Sequence, residues 1–429
     1  MMSDSRPLGE HERLLHYLHA FGGMIATEIL QLRGPIDPEQ IREALRFLQT
    51  QHPILRAHIR YGEIVFRKEA PYVYRQPYFD TEGTTEIPLL VSDRPWEELM
   101  TKSLRTPLPR GKNPRMQLTL IPDPADPDLT RLLIVGDHAA VDAYSVNMMT
   151  RQLFEYLEDP EGTRARTQPT HTSLPPPLEH GLPKKSGTGK NYTPAIRIPA
   201  KREPGRAETR VVARSIPAPV IAALKTTSRT QGATLHGALT ASFFLAMREL
   251  FGVDAMSVLS SFDLRRLGKP PLPTGTFGCY IDIVRTSHQI TDFWSTARDV
   301  SFRLISTVAK DHASASFMRL PTFAEYRIEF WPTLTHARRM DGLAITTAGE
   351  STLKSRYGNH VIEAITMGIA VDMFGPGLLV LSNEREGALD LSVNYATRAM
   401  STEVATRLTE RAIAILSEAV RVEASTSAA

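Results

Sequence analysis

Leu132-Leu133-Ile134-Val135-Gly136-Asp137-His138-Ala139-Ala140-Val141-Asp142-Ala143 is the stretch on which the reading of this chain turns. An apolar run ends at Gly136, an imidazole follows at His138, and a carboxylate stands four positions later at Asp142. Residues 144–158 then read as a helix. A buried strand that delivers one histidine into a loop ahead of a helix is one way to place a catalytic base. The spacing alone decides nothing, because the chain has 13 histidines and repeats the interval at His288 and Asp292. Context separates the two pairs. Asp292 sits where a helix begins and has a capping role open to it, whereas His138 leaves an apolar strand and enters a turn.

On the N-terminal side, Leu14, Leu15, Leu18 and Phe21 give residues 8–22 a helical period. His11-Glu12 and His16 in that segment miss the His-Glu-x-x-His zinc spacing, because the second histidine comes one residue too late. They read as a polar helix face. Residues 24–32 read as a strand. Asp37-Pro38-Glu39 opens a helix with Asp37 as its N-cap, and His52-Pro53 ends it. Residues 55–59 and 64–66 suggest a hairpin around Tyr61-Gly62. Residues 96–104 read as a short helix, and 116–122 and 131–136 as two strands. In the second half, strands are expected at 210–215, 256–262, 343–347, 361–371, 377–382 and 388–394. Helices are expected at 219–229, 234–251, 291–309 and 402–422.

A single core stops growing at roughly 250–300 residues, so 429 residues predict two units. Residues 160–206 hold Pro175-Pro176-Pro177 and few apolar residues, which marks an interdomain linker. The expected division is 1–160, a linker at 161–206, and 207–429. Strands and helices mix in both halves, which predicts α/β or α+β layers. The linker's second half is basic: Lys184, Lys185, Lys190, Arg197, Lys201, Arg202, Arg206, Arg210 and Arg214 face only Glu203 and Glu208. That reads as a solvated linker or as a docking surface for an acidic partner.

A net charge of +3 gives no nucleic-acid signature. One cysteine, Cys279, excludes an intramolecular disulfide and a cysteine-based zinc cage, and fits a reducing compartment. Met1 to Pro7 lacks an apolar signal core, and no run approaches the roughly 18 apolar residues of a membrane span. A soluble, cytoplasmic protein without a metal is expected. Motifs for a G-x-S-x-G nucleophile elbow, a phosphate loop, a dinucleotide fingerprint and a C-x-x-C pair are missing. Cys279 lies in an apolar strand-like pattern, where a thiol packs as a small hydrophobe rather than acting as a nucleophile.

Gly136 to Ala143 resembles the HHxxxDG motif of the condensation-domain and acyltransferase superfamily. That superfamily includes nonribosomal peptide condensation domains, polyketide-associated acyltransferases, wax ester synthases and alcohol acetyltransferases. Further segments agree in order along most of the chain. Arg6-Pro7-Leu8-Gly9-Glu10 and His52-Pro53-Ile54-Leu55-Arg56 look like the family's N-terminal segments. Phe262-Asp263-Leu264-Arg265 with Phe277-Gly278 is similar to its V-D-L-R … G segment. Ile345-Thr346-Thr347-Ala348-Gly349 falls where the family carries S/T-N-x-G. Three positions depart: Asp137 replaces the first histidine, Ala143 the glycine, and Thr347 the asparagine.

The resemblance implies two chloramphenicol-acetyltransferase-like subdomains meeting in a V, with a channel between them and His138 near its centre. It implies acyl transfer from a thioester, on coenzyme A or on carrier-protein phosphopantetheine, to an alcohol. His138 would be the general base. No permanently bound cofactor is implied, and an acyl or peptidyl carrier protein is a candidate partner. Asp142 would be a loop anchor, ion-paired with Arg265. Thr346, Thr347 and Gly349 are candidates around the oxyanion. Amide formation on an amine acceptor uses the same base and stays open. So does a silent, carrier-binding module, which the changed Asp137 and Ala143 motivate.

Overall fold

The computed structural model describes residues 4–20, 22–66, 73–167, 173–181, 208–267, 270–311, 342–350, 352–372, 377–397 and 399–426. The first half runs β1 (Ser5–Pro7), α1 (Glu10–Ala20), β2 (Ile25–Arg33), α2 (Pro38–Gln51), β3 (His58–Phe66), β4 (Val73–Asp80), β5 (Leu89–Val91), α3 (Trp96–Ser103), β6 (Met116–Pro122), β7 (Leu129–Asp137), α4 (Ala143–Glu158) and α5 (Pro160–Arg166). The second half runs β8 (Thr209–Ile216), α6 (Ala218–Thr230), α7 (Leu235–Phe251), β9 (Ala255–Asp263), β10 (Ile281–Gln289), α8 (Phe293–Asp311), β11 (Leu343–Glu350), β12 (Arg356–Tyr357), β13 (His360–Ile369), β14 (Leu378–Arg385), β15 (Ala388–Ala396) and α9 (Thr402–Thr426).

The fold is mixed α/β, built on two six-stranded sheets among the described residues. The first sheet has the order β12-β13-β2-β7-β6-β5 and the second β10-β9-β11-β14-β15-β8. A small sheet, β1-β4-β3, flanks them. Local chemistry sets the element ends. Asp37 caps α2 by accepting from the Glu39 N–H at 2.9 Å, and His52 terminates it.

Side-chain alternation assigns each sheet face to a core. In β2 and β7, Leu30, Leu32, Leu132 and Ile134 share one apolar cluster with Ala344, Leu379 and Leu381 of the second sheet. Their neighbours Ile25, Ile29, Leu133 and Val135 pack the other way, onto Met100 and Leu104 near α3. In the second sheet, Ile345, Val380 and Val393 meet Phe243, Phe244 and Met247 of α7 and Leu408 of α9. The two sheets therefore meet across a shared apolar cluster to which α2 and α4 also contribute, while α3 packs on the other face of the first sheet and α7 and α9 on the other face of the second.

Three expectations need correction. The hairpin around Tyr61-Gly62 is a single strand, β3, with a register shift between Tyr61 and Ile64. Gly62 lets the Tyr78 ring approach, since a Cβ there would lie 2.7 Å from it.

The expected boundary at 207 does not describe sheet membership. β12 and β13 come from the second half but complete the first sheet, with β13 paired to β2 from Val361↔Arg33 to Ile369↔Ala26. The bonds that hold β13 come from both halves. The second half grips it through side chains of β15: the Met367 N–H donates to Ser392 Oγ at 2.9 Å and the Ile369 N–H to Asn394 Oδ1 at 3.0 Å.

The first part of the expected linker is packed against the rest of the chain and begins in α5. Leu174 and Leu178 are buried, Glu179 accepts from the His11 N–H at 2.8 Å, and the Tyr280 hydroxyl donates to the Pro176 carbonyl at 2.6 Å. Most of its basic part, from Lys184 to Arg206, lies outside the described residues. Arg214 is ion-paired with Glu410 at 2.8 Å.

Candidate active site

The strand period of β7 decides where the site faces. Residues 132 and 134 point into the layer between the sheets, and 133 and 135 toward α3. Continuing that alternation sends Asp137 to the α1 side and His138 to the inter-sheet side. Gly136, on the same face as His138, leaves no room for a larger residue, because a Cβ there would meet Val141 Cγ2 at 2.8 Å.

His138 lines a cavity between the sheets that encloses about 700 Å³, open mouth included. Glu28, Val146, Thr346, Met367 and Leu381 are among its walls. His138 is 4% exposed. Its Nδ1 lies 3.5 Å from Cys279 Sγ, and its Nε2 makes no hydrogen bond among the described residues. Cys279 is not in a strand, as the sequence pattern suggests, but in the loop just before β10. Its sulfur lies between His138 and His11, 3.7 Å from His11 Nε2. Burial pushes the Cys279 thiol well above its ordinary range, so it stays protonated.

Asp137 occupies the other face and is fully buried. Its Oδ2 accepts from Arg115 Nε at 3.1 Å and Nη2 at 2.9 Å. The same oxygen lies 3.0 Å from His16 Nδ1. Oδ1 accepts from the Ala139 N–H at 3.0 Å and so shapes the turn that carries His138. Burial acts to raise this carboxyl, but His19, Arg115 and His16 together hold it well below the usual carboxylate range. The reading of α1 as a polar face is therefore overturned. His11, Glu12, His16 and His19 are all buried. His16 Nε2 meets the Tyr61 hydroxyl at 2.9 Å, His19 Nε2 accepts from the Leu108 N–H at 2.9 Å, and Glu12 pairs with Arg6 at 2.7 Å.

Asp142 is buried and N-caps α4, accepting from the Ser145 N–H at 2.9 Å. The structure brings it together with Arg265, whose Nη1 donates to Oδ2 at 2.8 Å and Nη2 to Oδ1 at 3.0 Å. The Tyr280 N–H adds a third donor at 3.0 Å. Burial opposes ionisation of Asp142, yet Arg265 and these N–H groups keep it below the ordinary value. Arg265 also donates to the Thr276 and Gly278 carbonyls, at 3.2 and 3.1 Å, and lies over the Tyr144 ring at 4.4 Å. One guanidinium thus ties the His138 loop to the loop holding Cys279.

Thr346 and Thr347 part company by the same alternation. Thr346 faces the cavity. Thr347 turns away, with its Oγ1 at 3.2 Å from His236 Nδ1 on α7. Gly349 lies in the irregularity between Thr347 and Glu350. The decoy pair comes apart: His288 Nδ1 meets Asp299 at 2.6 Å, while Asp292 accepts from the Ser295 N–H at the start of α8. Sequence reasoning missed Glu28 as a cavity residue. Its signal is a carboxylate set among Ile25, Ile29 and Leu30 in an apolar strand.

This architecture is that of the condensation-domain and chloramphenicol-acetyltransferase-like acyltransferases. Polyketide synthase associated protein 5 from Mycobacterium tuberculosis superposes with a TM-score of 0.65 at 16% identity, covering 97% of this chain and 98% of that one. TRI3 trichothecene 15-O-acetyltransferase from Fusarium sporotrichioides gives 0.71 at 13% identity, covering 97% and 95%. The cyclization-docking bidomain of EpoB from Sorangium cellulosum gives 0.68 at 18% identity, covering 97% and 85%. No family model matches the chain, and no curated protein matches it by sequence. Among the described residues no helix is long and apolar enough to cross a membrane.

Proposed function

We propose that this protein transfers an acyl group from a thioester, on coenzyme A or on a carrier-protein phosphopantetheine arm, to an alcohol, with His138 as general base. The observation that carries this reading is the division of labour in the loop. Asp142 is committed to Arg265, while His138 lines the inter-sheet cavity with Nε2 unengaged.

A thioester is attacked slowly by a neutral hydroxyl unless a base removes its proton during attack, and an imidazole is suited to that near neutral pH. This role requires the tautomer in which Nδ1–H donates to the Cys279 sulfur, a weak acceptor 3.5 Å away, and leaves the Nε2 lone pair as the basic site. Nε2 takes the hydroxyl proton as the oxygen bonds to the thioester carbon. The resulting oxyanion needs a hydrogen-bond donor, and the Thr346 hydroxyl is the side chain of that segment facing the cavity. Collapse breaks the carbon–sulfur bond. The thiolate leaves with the proton from His138, giving ester, free thiol and the neutral imidazole. An amine acceptor would follow the same steps to an amide.

The test incubates the full chain with acyl-coenzyme A or acyl-carrier thioester and panels of alcohols and amines. Free thiol is followed by a chromogenic trap and products by mass spectrometry. Thiol release with ester formation by the wild type, and its loss in His138→Ala, is the expected result. Carrier binding without thiol release from any combination would leave a binding module in place of an enzyme.

A further inference from the structure

Glu28 sits mid-strand in β2, on the face that Leu30 and Leu32 turn toward the second sheet. It is 5% exposed and forms part of the cavity wall. A carboxylate offers about four lone-pair sites. Among the described residues Glu28 has one hydrogen bond, accepted from Thr150 Oγ1 at 3.4 Å, longer than the roughly 2.5–3.0 Å of an ordinary O–H···O bond. No cation is paired with it among those residues. The charged neighbour that acts on it is another buried carboxyl, Asp390 of β15. Burial pushes Glu28 up to about 7, Thr150 opposes this, and Asp390 adds to it. Buried polar groups normally find full partners, and a core carboxyl held by Thr150 alone would leave this one poorly compensated. Its place in the wall lets a ligand supply what the protein does not.

Register fixes how far this carboxyl is from the chemistry. Ile25 pairs with Asp137 and Glu28 with Ile134, so Glu28 lies four positions along the sheet from the level of His138. At about 3.4 Å per residue that is roughly 14 Å, too far for Glu28 to share a proton with His138 or the reacting atoms.

We infer that Glu28 determines specificity at the far end of the cavity, receiving an ammonium or other hydrogen-bond donor at the tip of a substrate whose reacting end lies at His138. An ammonium fits best, because Glu28 is a buried carboxyl in the wall with no cation paired to it among the described residues, whereas Asp390 behind it is already paired with Arg385 at 3.4 Å. The tip can belong to the acyl chain or to the acceptor. The inference rests on the cavity being the substrate site of the proposed transferase.

Two measurements on the full chain separate the inference from that reading. In the first, kcat/KM is compared for ω-amino and plain alkyl members of an acyl-thioester series and of an alcohol series. The expected result is a tenfold or larger preference for the amino-tipped member in one series, expressed mainly in KM. The series showing it identifies which substrate carries the tip. Glu28→Gln should remove most of the preference, and Glu28→Leu should invert it. In the second, thermal stabilisation by non-reacting amino-tipped and plain ligands is measured for wild type and Glu28→Gln, which needs no turnover. A larger shift for the amino-tipped ligand, lost in Glu28→Gln, supports the inference even if no thiol is ever released. Equal shifts, or none, overturn it. So does an unchanged preference in both variants that turn over.

Discussion

The Arg265 guanidinium grips the Asp142 carboxylate through two bonds, Nη1 to Oδ2 at 2.8 Å and Nη2 to Oδ1 at 3.0 Å, across 123 residues of chain. Both side chains are almost fully buried, so removing Arg265 leaves Asp142 without its cation, and removing Asp142 leaves Arg265 only the more exposed Asp263, 3.0 Å from Nη1. Such a loss costs about 3–5 kcal/mol. Asp142→Ala should therefore lower the unfolding free energy by that order and reduce soluble yield together with turnover. Arg265→Lys keeps the charge but not the fork and should fall between wild type and Asp142→Ala. Chemical denaturation read beside activity checks both. A destabilised Asp142→Ala with full turnover would detach the pair from the site.

His138 has the opposite profile. Its one hydrogen-bonding contact among the described residues is the 3.5 Å approach to the Cys279 thiol, so little stability depends on it. His138→Ala should unfold near the wild-type midpoint while turnover falls by roughly 10²–10⁴, the usual worth of a general base. Cys279→Ala is the informative comparison. If the sulfur only orients the ring, this variant keeps measurable turnover. If the sulfur carried an acyl intermediate, turnover would vanish and the wild type would show a covalent mass shift with donor alone.

Much of the fold is legible in the chain because local periods and caps agree with it. The Asp37 cap, the end of α2 at His52, and most strands of both sheets fall where pattern places them. β4 escaped because Pro77 argues against a central strand. The structure tolerates it where Tyr61 pairs with Pro77, at the edge of the β3 register shift, so the missing N–H falls where the ladder is already broken. The site was legible in part. Strand period marks His138 as facing away from Asp137. Nothing local reveals that the histidines of α1 are buried, because the groups they meet, Asp137 for His16, the Leu108 N–H for His19 and Cys279 for His11, lie about ninety or more residues away. β13 crossing to β2, Cys279 beside His138, and Glu28 in the cavity wall are also long-range facts. Arg265 was reachable only through resemblance.

Gly278 fixes the path of the loop that holds Cys279. Its φ is +149°, and a Cβ would lie 2.5 Å from the Tyr280 ring. Its N–H donates to Ser145 Oγ at 3.1 Å and its carbonyl accepts from Arg265 Nη2 at 3.1 Å. Gly278→Ala must displace either Tyr280 or the backbone that meets Ser145 and Arg265. Strain of this sort costs on the order of 1–3 kcal/mol. The expected outcome is a lowered midpoint and a loss of turnover larger than stability explains, because Cys279 and the ring it touches move with the loop. Turnover equal to wild type in the folded fraction would show that the loop does not position His138.

Acid should weaken the protein above the range in which ordinary carboxylates titrate. Burial lowers His19 and His236 to about 4 and His11 to about 3. Each is neutral when folded but gains a proton in the unfolded chain near 6.5. Between those values the unfolded state binds more protons, so stability falls as pH falls. Each histidine costs on the order of 3 kcal/mol by the time pH reaches its folded value. Asp137 works in the same direction lower down. Its folded value is depressed, so its contribution is present above 3.8 and is lost as pH drops below that. Glu28 works the other way, because a carboxyl raised from 4.5 to about 7 stabilises at low pH and loses that contribution as pH rises through 7. Denaturant midpoints measured from pH 7 down to 4 should therefore fall, with His19→Gln flattening the slope by one histidine's share. Glu28→Gln should gain stability relative to wild type only at the upper end. A profile flat from pH 6.5 to 4 would mean that His11, His19 and His236 are not held neutral in the folded protein.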